Sequence, residues 1–134
     1  MAPAETSGKQ VVLITGASAG FGKACAEHLS SRGYRVYGTS RSARFDAETA
    51  SGEQQPFTTI PMDVCDASSV KTGITYLLDK EEKIDIVVNN AGFGLAGAFE
   101  DCSVEEVKGQ FETIFQRFIS IIVSIGPYIY TTQN

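Results

Sequence analysis

At 134 residues the chain has the length of one ordinary domain, enough for a real core and a binding site but too little for two such units. Its 43% hydrophobic and 20% charged residues are the composition of a soluble globular protein and exclude general disorder, and a net charge of −5 argues against nonspecific binding to nucleic acid. Three cysteines without a Cys-x-x-Cys pair, with His28 the one histidine, encode neither a disulfide framework nor a zinc site.

Residues 1–9 lack a basic region followed by an apolar stretch and do not read as a secretory signal, so cytoplasm is the expected location. Val11-Val12-Leu13-Ile14 is a short apolar run between turn residues, the pattern of a strand buried on both faces of a parallel sheet. Past a glycine-rich stretch, Phe21, Ala24, Cys25, His28 and Leu29 recur at helical spacing, and Gly33 stands where a left-handed cap would end that helix. His28 on this stripe reads as packed at the helix edge. Arg35 to Thr39 predicts a second strand, and Arg41 to Gln55 is polar and weakly periodic, a loop with room for a short helix.

Phe57 to Met62 predicts a third strand, its end blurred by Pro61. Asp66 can cap a helix that carries Val70, Ile74, Leu77 and Leu78 on one face, and Ile84 to Val88 predicts a fourth strand. Strands alternating with helices of this length specify right-handed crossovers, hence an α/β fold with a doubly wound parallel sheet. After a glycine-rich loop over 92–97, Ser103 and Glu106 have the spacing of a capping box, and Val104, Val107, Phe111, Ile114, Phe115 and Phe118 continue an apolar helical face. No charged side chain follows Arg117. A membrane span needs ~20 mostly apolar residues, and Arg117 together with the Gly126-Pro127 break leaves this run too short, so no membrane association is expected.

Glycines between a buried strand and a helix let the backbone turn sharply and approach a ligand, while the helix N-terminus offers unpaired N–H groups and partial positive charge to a diphosphate. A mere tight turn explains the glycines equally well when they are taken alone. Their spacing is Gly16-x-x-x-Gly20-x-Gly22, not Gly-x-Gly-x-x-Gly. Taken together, Thr15 to Gly22 after the first strand, Asp63-Val64 after the third and Asn89-Asn90-Ala91-Gly92 after the fourth make the chain resemble the short-chain dehydrogenase/reductase family.

The resemblance implies a Rossmann-like sheet of order 3-2-1-4, cut short after about four strands, with helices on both faces. It implies that Gly16, Ser18, Gly20, Phe21 and Gly22 surround the cofactor phosphates. Asp63 and Val64 would contact the adenine, and Asn90, Ala91 and Gly92 would line the ribose, while Asn89 would tie strands together. An acidic residue about 20 positions beyond the glycines would hold a ribose 2′-hydroxyl, whereas this chain has Ser40-Arg41 at the end of the second strand. Arg41 can pair with a 2′-phosphate and Ser18 can donate to it, so NADP (NADPH) is expected over NAD. A solvated loop arginine is the plain alternative, with Arg44 close by.

The family's chemistry uses a serine and a later Tyr-x-x-x-Lys, because the substrate oxygen must be stabilised as hydride moves and a tyrosine needs a neighbouring cation to act as a base. The one Tyr-x-x-x-Lys here, Tyr76 to Lys80, precedes the Asn-Asn-Ala-Gly tetrad and reads as an ordinary helical pair. The resemblance is expected to stop at about Thr113 and the tail beyond it to be foreign sequence, so the expected organisation is a flexible N-terminus over 1–8, a partial nucleotide-binding domain over 9–113 and an atypical apolar tail over 114–134. The functional expectation is the NADP(H)-binding portion of an oxidoreductase that exchanges hydride with a carbonyl or alcohol substrate, inactive alone. The alternative is a non-catalytic nucleotide-binding or interaction module. The apolar face over 104–125 is expected either to fold back on the sheet, with Tyr128 to Thr131 as an extra strand, or to drive self-association.

Overall fold

The computed structural model of the chain describes residues 8–45, 56–92 and 103–129. Four strands, β1 (Val11–Ile14), β2 (Arg35–Ser40), β3 (Thr58–Pro61) and β4 (Ile86–Val88), form one parallel sheet of order β3-β2-β1-β4. Three helices, α1 (Gly20–Ser31), α2 (Ala67–Glu81) and α3 (Val104–Ile129), complete the described elements. The expected fold class and strand order are therefore those of the molecule.

The strand period of two explains why β1 is apolar without interruption. Val12 and Ile14 face one core with Val36, Ala17 and Ala26 of α1, whereas Val11 and Leu13 face another with Tyr37, Ile60, Val70, Ile74, Leu77 and Ile121. Both faces of β1 are thus covered, α1 on one side and α2 with α3 on the other. At about 1.5–3 kcal/mol per fully buried aliphatic side chain, these four residues make β1 the natural centre of the sheet.

The helix carrying the glycine motif turns inward a face that overlaps only in part, through Cys25 and Leu29, with the one its sequence suggested. Gly22 and Ala26 are buried with Cys25 and Leu29 packed behind them, while Phe21, Ala24 and His28 are exposed. The inner stripe is the set of small residues, because α1 must lie close to the turn after β1. His28 therefore lies on the solvent side, not packed at an edge. Gly33, at φ 92°, follows the helix end as expected.

Asp66 caps α2 as expected, accepting from the N–H groups of Ser68 (2.9 Å) and Ser69 (3.4 Å). Ser103 and Glu106 form the reciprocal capping box of α3, at 3.1 and 2.8 Å. β4 begins at Ile86, two residues later than expected, and Asp85 just before it accepts from the Val11 N–H at 2.7 Å while pairing with Lys83 at 3.1 Å. The Gly126-Pro127 pair does not stop α3, which runs to Ile129 and takes in Tyr128 and Ile129 rather than leaving them to an extra strand. A proline's φ of about −65° is helical, and its cost near the helix end is one lost N–H donor and crowding of the carbonyl four residues back. The loop expected over 92–97 lies outside the described residues beyond Gly92, as does 46–55 of the loop after β2. No helix among the described residues is long and apolar enough to cross a membrane.

Candidate functional site

All four strands point their carboxyl ends toward one side of the sheet, and the turns there enclose a cleft of about 720 Å³. Gly16, Ser18 and Phe21 enter it from the β1–α1 turn, Arg41 from the end of β2, Asp63 and Val64 from the end of β3, and Asn90, Ala91 and Gly92 from the end of β4. Gly20 and Gly22 do not line the cleft and act on the shape of the turn instead.

Gly16 has φ 68°, and a Cβ there would stand 2.8 Å from the Cα of Ala91, so both the turn and the neighbouring strand end require glycine. A Cβ on Gly22 would strike the Gly16 carbonyl and the Asn90 amide. The turn is held by hydroxyls as well. Thr15, 2% exposed, accepts from the backbone N–H groups of both Asn90 and Ala91 at 3.0 Å. Thr39, 1% exposed, accepts from the Gly16 N–H at 3.2 Å through its hydroxyl and from the Ala17 N–H at 2.9 Å through its carbonyl. The Asn90 side chain donates to the Gly16 carbonyl at 3.0 Å. The Asn90 side chain thus ties the end of β4 to the turn, and it lines the cleft as well.

Asp63 shapes its own turn and faces the cleft. Its Oδ1 accepts from the Cys65 N–H at 2.9 Å and fixes the turn after β3, while the residue forms part of the cleft wall. Ser69 on α2 supports the same turn by accepting from the Asp63 N–H at 2.8 Å. Arg41 sits in a turn organised by Ser40, whose hydroxyl accepts from the Ser42 N–H at 3.3 Å and whose carbonyl accepts from the Met62 N–H at 3.2 Å.

The N-terminus of α1 differs from those of the other two helices. Ala19 at its cap position supplies no side-chain acceptor, whereas α2 and α3 are capped by Asp66 and Ser103. Ala19 and Phe21 at this uncapped end line the cleft, with Phe21 90% exposed. Open N–H groups and the helix dipole can hold an anion there, the Arg41 guanidinium can hold a second one, and Asp63 offers a carboxylate to a donor. Thr39, Ser40, Ser42, Met62 and Cys65 also line the cleft and escaped the sequence reading. Their shared signal is position, at or just beyond a strand's carboxyl end.

Tyr76 and Lys80 are absent from the cleft lining. Lys80 places its Nζ 5.1 Å from the centre of the Tyr76 ring, a cation–π pair on α2.

A parallel sheet with a glycine-rich turn after its first strand and a cleft at the strands' carboxyl ends is the arrangement of dinucleotide-binding α/β proteins. The family model for short chain dehydrogenases matches residues 10–134, and the chain belongs to that family. It is 36% identical over 120 residues to 3-ketodihydrosphingosine reductase of Bacteroides thetaiotaomicron, an alignment covering 90% of this chain and 42% of that protein. Among solved structures, ElxO with NADP bound superposes with a TM-score of 0.76 at 25% identity, over 93% of this chain and 52% of ElxO. The 3-ketoacyl-(acyl-carrier-protein) reductase of Brucella melitensis complexed with NADH gives a TM-score of 0.72 at 28% identity, over 88% of this chain and 49% of that one. The chain spans under half the length of the curated relatives it matches. The family match runs on to residue 134, so the resemblance does not stop at Thr113 as expected, although the recognisable motifs end there.

Proposed function

We propose that the chain is the NADP(H)-binding portion of an oxidoreductase that moves hydride between the nicotinamide and a carbonyl or alcohol substrate. The observation that carries this reading is the convergence of the uncapped α1 N-terminus, Arg41, Asp63 and Asn90 on one cleft. In it the α1 N–H groups and Ser18 bind the diphosphate, with Gly16, Gly20 and Gly22 shaping the approach and Phe21 covering it. Asp63 accepts from the adenine amino group beside Val64, while Asn90, Ala91 and Gly92 form the ribose wall. The cofactor supplies the hydride, and these residues bind and orient it.

Charge selects NADP over NAD. Arg41 offers a fixed cation and a forked donor to a 2′-phosphate, and no acidic residue stands at the end of β2 to hold a 2′-hydroxyl. Relatives bound to NADP and to NADH both occur, so the preference rests on this chain's own residues. The chain is read as inactive alone, because Tyr76 and Lys80 stand apart from the cleft and the tyrosines at 128 and 130 have no lysine four positions on. The exposed apolar face of α3 is read as a site of self-association.

Titration of the chain with NADPH and with NADH, followed by cofactor fluorescence, tests the reading. NADPH is expected to bind more tightly. Arg41→Ala is expected to weaken NADPH by about tenfold, the cost of one charge-assisted contact, and to leave NADH unchanged. An unchanged preference in that variant refutes the charge argument, and turnover of model carbonyls by the chain alone refutes its inactivity.

A further inference from the structure

The segment that presents Arg41 is fastened at two places. At its start, the Ser40 carbonyl accepts from Met62 at 3.2 Å and from Ala43 at 3.4 Å, closing a turn with Arg41 inside it. Four residues past Arg41, the Phe45 ring lies against Tyr76 of α2, ring centres 4.6 Å apart and planes inclined at 42°. That separation and tilt are those of a favourable aromatic pair.

The second fastening is firm because of what stands behind Tyr76. Its side chain packs on the core cluster of Leu13, Ile60, Val70 and Leu77, and Lys80 lies over its ring. Phe45 itself is 36% exposed and belongs to neither core cluster. Its ring therefore adds little to the core, and it packs instead on Tyr76, a fixed point on α2. Between the two fastenings lie Arg41 and Arg44, like charges in a short loop whose repulsion favours spreading it.

We propose that the Phe45–Tyr76 pair is a clamp that holds the Arg41 turn at the cleft, and so sets the discrimination between a ribose 2′-phosphate and a ribose 2′-hydroxyl. The inference rests on the assignment of Arg41 to the 2′-phosphate. Phe45 and Tyr76 are positioning residues in it, acting through Arg41. Binding that needs Arg41 in place is weakened by the fraction of time the turn is elsewhere, whereas binding that does not use Arg41 is unaffected. A ring pair of this kind corresponds to a factor of about five.

The test is titration of the full chain and its variants with NADPH and NADH in parallel. Phe45→Ala and Tyr76→Ala are expected to weaken NADPH about fivefold while NADH stays unchanged, and Tyr76→Phe, which keeps the ring, should behave as the parent. Phe45→Ala leaves the core intact and keeps the test valid if Tyr76→Ala does not fold. Equal weakening of both cofactors means a merely structural role and overturns the clamp, as does a parental NADPH-to-NADH ratio in Phe45→Ala. If Arg41→Ala abolishes the ratio and Phe45→Ala preserves it, the clamp alone falls. If Arg41→Ala preserves the ratio, or the parent chain binds neither cofactor saturably, the underlying reading falls and the clamp with it.

Discussion

Thr15 is the residue on which the cleft turns. Its buried hydroxyl is shared by the N–H groups of Asn90 and Ala91, joining the end of β1 to the end of β4 across 75 and 76 residues of chain. Replacement by valine keeps the shape and removes the acceptor, a loss of about 1–2 kcal/mol for a buried hydrogen-bonding group. Thr15→Val is therefore expected to lower the melting temperature by a few degrees and to weaken NADPH binding, while Thr15→Ser retains both. A Thr15→Val protein that melts and binds like the parent would show that the hydroxyl is not what holds the strand ends together. At this scale the sequence was legible where residue type is forced by backbone: Gly16 and Gly22 stand in the motif because no Cβ fits. Asn90 was harder, because a strand-end asparagine reads alike whether it faces a ligand or bonds a neighbouring turn, and here it does both.

Between elements, the contact with the clearest pH signature joins β2 to α2. Tyr37 donates to Glu81 at 2.6 Å, and Arg35 donates to the same carboxylate oxygen at 3.2 Å. Burial, followed by the hydrogen bond to Glu81 and its negative charge, pushes the Tyr37 phenol well above its ordinary range. Because the folded chain holds this proton more tightly than the unfolded one, its stabilisation is complete below the ordinary tyrosine value and is lost as pH rises above it. Denaturant midpoints are expected to fall above about pH 10, and Tyr37→Phe should flatten that alkaline limb. An equally steep limb in the variant would assign it to other groups. The elements themselves were readable because their signals are local: an unbroken apolar run for β1, Asp66 before α2, Ser103 and Glu106 at α3. The inner face of α1 was not, since Phe21 looks like a core residue by hydropathy, and only the close approach of α1 to the Gly16 turn selects Gly22 and Ala26 instead.

Over the whole molecule, apolar side chains are divided unevenly. The central strand β1 is completely buried, but Val104, Phe111, Ile114 and Phe115 along α3 are each more than half exposed, while Ile121 farther along the same helix is fully buried in the core. A row of this kind on one helix can meet the same row on a second copy. Sedimentation velocity is expected to show association that grows with concentration and is reduced in Phe111→Ser/Phe115→Ser. A monodisperse monomer with a sharp two-state melt would contradict it. The bond between Thr15 and the β4 end also carries a consequence for time as well as shape. Residues 15 and 90 meet only after β1 has recruited a strand that lies most of the described chain away, so the cleft is complete only when the slowest, least local pairing has formed. A ligand that fits the finished cleft therefore holds the native state against opening and slows unfolding, while leaving the search that builds it as slow as before.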